Sequence, residues 1–188
     1  MNSIKKWKQL SRKILLNHHR MVVVEDLIEL PDGETMEYIR FAESTSDSVA
    51  AIAINEAGEF LLQKEYSYPP NEIMWQLAGG SVNIDESPEQ AIDRELSEES
   101  GVRARHIESL GFIYTDNRRS NQKQHIFVCK DLYKSSEPAD KGEFVENHWV
   151  GFDELVHLFE NDAVHNVTMM AALSLYFAKL GYIKREDG

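Results

Sequence analysis

The segment Gly80 to Val102, GSVNIDESPEQAIDRELSEESGV, constrains this chain more than any other, because it carries a complete set of signals for starting and stopping one amphipathic helix. Ser87 suits the N-cap, where a side-chain oxygen can accept from an orphaned backbone N–H. Pro88 suits the first helical position, where its missing N–H costs nothing, and Gln90 completes a capping box. Gly101 supplies the C-terminal stop. Between these ends Ala91, Ile92 and Leu96 fall on one side and would anchor the helix to a core. Glu95 and Glu99 lie four residues apart on another side, with Glu98 beside them. One face is structural and the other reactive.

Three carboxylates crowded onto about one turn repel one another unless a cation neutralises them, and a hard divalent ion with oxygen ligands, Mg2+ or Mn2+, does so directly. Arg94 stands four residues before Glu98 and can pair with it, leaving Glu95 and Glu99 to face a metal. A solvated acidic face is the ordinary meaning of a glutamate-rich helix. That meaning leaves unexplained why a glycine, Gly80, and a further glutamate, Glu86, precede the helix at fixed offsets.

Gly80, Glu86, Arg94, Glu95, Leu96, Glu98, Glu99, Gly101 and Val102 together resemble the signature box of the Nudix hydrolases, G-x5-E-x7-R-E-U-x-E-E-x-G-U with U apolar. The resemblance implies an α+β fold, an α/β/α sandwich with a mixed sheet. It implies Glu95, Glu99 and Glu98 as metal ligands, with the backbone carbonyl of Gly79 as a further one where the family has alanine. Glu98 and Arg94 would belong to the catalytic set, while Gly80, Glu86 and Gly101 would shape the box.

Outside the box the chain resembles the branch that hydrolyses ADP-ribose and other nucleoside diphosphate sugars. Phe60 to Tyr68 lines up with that branch's strand ending in a Gln-Tyr-Arg-Tyr-like sequence, Trp75 to Gly80 with its Glu-Leu-Pro-Ala-Gly, and Glu143 to Trp149 with its Glu-x-Ile-Glu-x-x-Trp. Glu143 then occupies the acidic loop that often supplies a catalytic carboxylate. The chain departs from the branch at Asn117, where a proline is usual, at Gln122, where glutamate is, and at Ser67, where arginine is. Arg118 and Arg119 are candidates to bind phosphate in place of the missing arginine, and Tyr66, Tyr68 and Trp75 to stack on a base. Each also has an ordinary reading, as solvated arginines or packed aromatics.

Composition narrows the partners. The chain has 188 residues, 42% of them hydrophobic, enough for one domain plus an extension. A net charge of −12 argues against a long nucleic acid and leaves a small anion held through metal ions. The single cysteine, Cys129, sits in an apolar run and reads as a buried small residue, consistent with a reducing, cytoplasmic setting. No apolar stretch approaches the roughly 20 residues that span a membrane. Residues 1–20 hold six Lys or Arg and no Asp or Glu. They read most simply as a solvated N-terminal helix, with an arm that docks on an acidic partner as the alternative. His18-His19 lacks partners at metal-ligand spacing.

Strand signals occur at 21–24, 37–41, 49–54, 60–65, 75–77, 107–115, 124–130 and 148–150, and helix signals at 153–160 and 166–180, the last with Asn166 as N-cap and Gly181 as stop. Residues 1–47 form an expected N-terminal antiparallel unit and 48–188 the catalytic domain. The resemblance implies metal-dependent hydrolysis of a pyrophosphate bond in a nucleoside diphosphate sugar, and a homodimer in which the N-terminal strands complete the partner's site. Two alternatives stay open. One is a Nudix-fold sensor that binds a nucleotide sugar without cleaving it. The other is a hydrolase of a dinucleoside polyphosphate, NADH or a capped RNA end, the acidic surface opposing the last.

Overall fold

The computed structural model describes residues 4–44, 46–136 and 144–180. The chain divides into two compact units, one formed by residues 1–45 with the excursion 116–122, the other by 46–115 and 123–188.

The first unit is an antiparallel sheet of β1 (Lys8–His18), β2 (Met21–Glu29) and β3 (Thr35–Phe41), with β2 in the middle. His18 pairs with Met21 across a tight turn, and Gly33, at φ 90°, turns the chain from β2 into β3. The basic N-terminal segment is therefore a strand, which corrects the expected helix. Its Lys, Arg and Leu residues favour a helix locally, but pairing with β2 offers a ladder that satisfies its backbone from Lys8 to His18. Beneath the sheet Asp26 is buried, 4% exposed, and is held by Arg12 at 2.6 Å and Arg40 at 2.8 Å. Both arginines also reach Glu43, so the cluster is neutral as a whole.

In the second unit β4 (Ser48–Ala53) runs parallel to β8 (Gln124–Lys134), which pairs antiparallel with β7 (Val102–Ile113). A second sheet places β5 (Phe60–Ser67) between β6 (Glu72–Gln76) and β9 (Val145–Val150), all antiparallel. Alternation along the inner strands builds two separate cores. Ala50 and Ile52 of β4, Ile126 and Val128 of β8, and Leu62 of β5 pack toward helices α2 (Phe152–Glu160) and α3 (Val167–Lys179), against Leu155, Met169, Ala172, Leu173 and Tyr176. The intervening Ala51, Ala53, Phe127, Cys129 and Leu61 pack toward α1 (Pro88–Ser100), against Ala91, Ile92 and Leu96. With helices on both faces of a mixed sheet, the fold is the α/β/α sandwich that the sequence implies. Strands buried on both faces read as continuous apolar runs, as β4 and β8 do.

Strands β7 and β8 are longer than their sequence signals, because Val102–Ala104 pairs with Leu132–Lys134, and Val102, Ala104 and Leu132 pack against the α1-side core. Asn166 caps α3 through Met169 N–H at 3.0 Å, while Gly181 lies outside the described residues. None of the described helices is long and apolar enough to cross a membrane.

Candidate active site

The site is assembled where the approach to α1 runs along the free edge of β4. Val49 N–H donates to Gly80 O and Ala51 N–H to Ala78 O, both at 2.9 Å, and Val82 N–H donates to Asp47 O at 2.9 Å. Residues 78–82 thereby gain a sheet edge and a fixed position. A methyl group at Gly79 would lie 2.1 Å from Val49 O and 2.9 Å from Ala50 Cα, backbone atoms that cannot give way. At Gly80 it would lie 2.4 Å from the carboxylate of Glu95. Two glycines in a row let the chain press between β4 and the helix.

Helix α1 begins as its residues dictate. Ser87 Oγ accepts from Gln90 N–H at 3.2 Å and Gln90 Oε1 accepts from Ser87 N–H at 2.8 Å, closing the capping box. At the other end Gly101 is left-handed at φ 66°, and its N–H turns back to Leu96 O and Ser97 O. Ala91, Ile92 and Leu96 are fully buried, which fixes the rotation of the helix and so the direction of its acidic face.

On that face Arg94 is the organising charge. Its Nε donates to Glu86 at 2.9 Å, its Nη1 lies 2.8 Å from Glu98 and 2.9 Å from Glu95, and its Nη2 donates to Ser81 O at 2.9 Å. The Arg94–Glu98 pair is the one that the four-residue spacing allows. Glu86 also accepts from Asn83 N–H at 3.0 Å and so braces the loop from within. The hydrogen bonds from Arg94 hold Glu86 below the usual carboxylate range. Glu95 is 6% exposed, and burial pushes its carboxyl above the usual range despite the opposing pull of Arg94. A carboxylate held in so dry a place binds a cation strongly.

Glu99 is held by different groups. Its Oε2 accepts from Gly79 N–H at 3.0 Å and from Gln63 Nε2 at 3.2 Å, and its backbone carbonyl accepts from Asn147 Nδ2 at 2.8 Å. Gln63 and Asn147 are residues that sequence reasoning passed over. The available signal was a glutamine ending the buried run Phe60-Leu61-Leu62, since a polar side chain inside an apolar strand needs a partner.

A family model described as the NUDIX domain matches residues 45–173. The chain belongs to the Nudix family. Among curated relatives it is 26% identical over 152 residues to the ADP-ribose pyrophosphatase of Bacillus subtilis, covering 80% of each chain. It is 24% identical over 170 residues to a CMP-5'-(N-acetyl-N-hydroxy-3-aminopropyl)phosphonate hydrolase of Streptomyces rubellomurinus, covering 90% of this chain and 81% of that one. Among solved structures an ADP compounds hydrolase superposes with a TM-score of 0.88 at 22% identity, covering 98% of this chain and all of the other, which establishes the shared fold. The chain is thus a Nudix pyrophosphohydrolase, of a family whose members work with divalent metal ions on small nucleoside diphosphate compounds.

The donors present fit such an ion. Glu95, Glu98 and Glu99 offer only oxygen, from one stretch of one helix, and the crowding of Glu95 against Gly80 leaves its charge little water to share. Among the described residues no three acidic, histidine or cysteine side chains already converge at ligating distance, since Arg94 draws Glu95 and Glu98 while Gly79 and Gln63 draw Glu99.

The remaining candidates are dispersed. Tyr66 is half-exposed at the end of β5 and donates to Asn71 Oδ1 at 2.8 Å, and Tyr68 is largely exposed in the following turn. Trp75 packs against the α3-side core with Lys64 Nζ 4.6 Å above its ring. Arg118 and Arg119 belong to the first unit, not to the unit that carries α1. There Arg118 O accepts from Tyr38 Oη at 2.7 Å and Arg119 O from Phe41 N–H at 2.9 Å, and both residues line a cavity of about 420 Å3 with Trp7, Tyr38 and Arg40. Glu143 lies outside the described residues. Cys129 is fully buried with its thiol pushed up to about 12, the state of an inert core residue. The rings of His18 and His19 lie 4.1 Å apart and tilted by 44°, at the exposed turn between β1 and β2.

Proposed function

We propose that this enzyme hydrolyses the pyrophosphate bond of a nucleoside diphosphate sugar, ADP-ribose or a close ADP derivative, with Mg2+ as its ion and Mn2+ as a substitute. The observation that carries the reading is the acidic face of α1, with Glu95 pressed against Gly80 and Glu99 tied to Gly79 N–H at 3.0 Å. Support for the substrate class comes from the ADP-ribose pyrophosphatase of Bacillus subtilis, alike over 80% of the chain, and from the ADP compounds hydrolase that shares the fold.

Glu95 and Glu99, with Glu98 and the carbonyl of Gly79, would hold the ion. When bound, it would offset charge building on the phosphate oxygens and lower the pKa of the attacking water. Arg94 keeps Glu98 in place and stays protonated throughout, because its partners raise its pKa further. Glu98 or Glu143 would take the proton as the water oxygen bonds to one phosphorus and the bridging oxygen leaves with the other phosphate. Arg118 and Arg119 would meet phosphate oxygens, and Tyr66 and Tyr68 the base.

The working form would be a homodimer. Leu10, Ile14 and Leu16 of β1, with Ile39 and Phe41 of β3, are large apolar side chains left exposed on the first unit, the kind of surface that a second copy covers. Sedimentation at working concentration should give twice the 21.6 kDa of one chain, and a monomer would remove the proposal that β1–β3 complete a partner's site. For the reaction itself, chromatography of products from ADP-ribose, ADP-glucose, GDP-mannose, UDP-glucose, NADH and diadenosine polyphosphates should show AMP formed from ADP-ribose only with metal present. Tight binding without turnover across this panel would make the protein a sensor instead.

A further inference from the structure

Side chains alternate along β5, so Leu61 faces the α1-side core and Gln63, two residues on, faces the same way. Gln63 is 1% exposed, in a place where leucine or methionine would satisfy packing. Burying an amide is unfavourable unless it is hydrogen-bonded, so its partners decide why it is there. Its Nε2 lies 3.2 Å from Glu99 Oε2, 3.2 Å from Asn147 Oδ1 and 3.4 Å from Ser100 Oγ. Asn147 sits directly across the ladder from it on β9. From there Asn147 Nδ2 donates to the backbone carbonyl of Glu99 at 2.8 Å, and Asn147 Oδ1 accepts from Ser100 Oγ at 3.2 Å.

The result is a clasp on one residue from two directions. Gly79 N–H and Gln63 Nε2 both bond the same carboxylate oxygen of Glu99, and Asn147 secures its main chain where the last turn of α1 would otherwise fray. A carboxylate with one oxygen so fixed has the direction of its other oxygen fixed as well. Groups that bond a ligand rather than the ion set both its orientation and its affinity for the ion.

We propose that Gln63 and Asn147 are positioning residues for Glu99, presetting its carboxylate to receive a divalent cation. The proposal rests on Glu99 being a metal ligand, as the proposed function has it. The competing role is purely structural, a tie between the β5–β9 pair and the end of α1. A tie would move stability and leave metal affinity alone.

The test is titration of the full chain with Mn2+ alone, read by the paramagnetic resonance of free Mn2+, on wild type, Gln63→Met, Asn147→Ala and Glu99→Gln, with thermal melts of each. Gln63→Met keeps length and apolar packing while removing the donor, and Asn147→Ala acts at an exposed position, so it remains informative if the core change impairs folding. The expected result is Mn2+ affinity lowered about 10- to 100-fold in Gln63→Met and by at least about tenfold in Asn147→Ala, whatever the change in melting temperature. Affinity in both variants within about twofold of wild type, with Glu99→Gln strongly weakened, overturns the positioning role and leaves the ligand assignment standing. Unchanged affinity in Glu99→Gln overturns both.

Discussion

A methyl group is enough to test the site at the scale of single residues. Gly80→Ala would put a Cβ 2.4 Å from Glu95 Oε1, and the buried carboxylate would have to swing away from the position that α1 gives it. A displacement of about 1 Å in a reacting group costs on the order of 100-fold in rate, so kcat is expected to fall by about that factor in steady-state kinetics while circular dichroism stays that of the wild type. An unchanged kcat would show that Glu95 need not sit against Gly80. The sequence made this part of the site legible because its information is local: helical spacing places Arg94 and the three helix glutamates on one face, and Gly80 and Glu86, just before the helix, were marked by their match to the Nudix box. Gln63 and Asn147 were not legible, because a glutamine and an asparagine 84 residues apart mean nothing until β5 and β9 pair. Arg118 and Arg119 illustrate the same limit, since spacing cannot tell which unit a polar loop joins.

At the scale of elements, α1 is specified by its ends as much as by its face. Ser87→Ala removes the acceptor for Gln90 N–H and unlocks the reciprocal bond from Ser87 N–H, at a cost of about 1 kcal/mol in urea unfolding. Because the helix start and Glu86 are adjacent, the same variant should lower activity modestly, and a variant with full stability would show that the box is redundant with core packing. The cap residues, the apolar stripe and Gly101 all agreed with one another in the sequence, which is why this helix was legible to the residue. Strand β1 was not. Its composition favours a helix, its eleven residues are all exposed, and only the ladder with β2 and the reach of Arg12 to Asp26 make it a strand.

Over the whole molecule, charge clusters in the two units set different tasks. In the first, Arg12 and Arg40 hydrogen-bond Glu43 and hold it down to about 2, against an ordinary 4.5, and they lower Asp26 as well. A carboxylate whose pKa is depressed by folding stabilises the native state fully above its unfolded value and loses that contribution as pH falls through its folded value. Melting temperature should therefore be higher in wild type than in Glu43→Gln at pH 6, with the gap closing between pH 4.5 and about 2. A gap independent of pH would assign the effect to packing. In the second unit the acidic face of α1 is the proposed catalytic centre, and the proposed function depends on it above all. The direct measurement is AMP release from ADP-ribose by wild type and Glu99→Gln, each with Mg2+ and with excess chelator. Release by wild type with Mg2+ only, and its loss in Glu99→Gln while the melting temperature is kept, is the result predicted. Equal release by the variant, or release unaffected by the chelator, would contradict the assignment of this helix face as the catalytic centre.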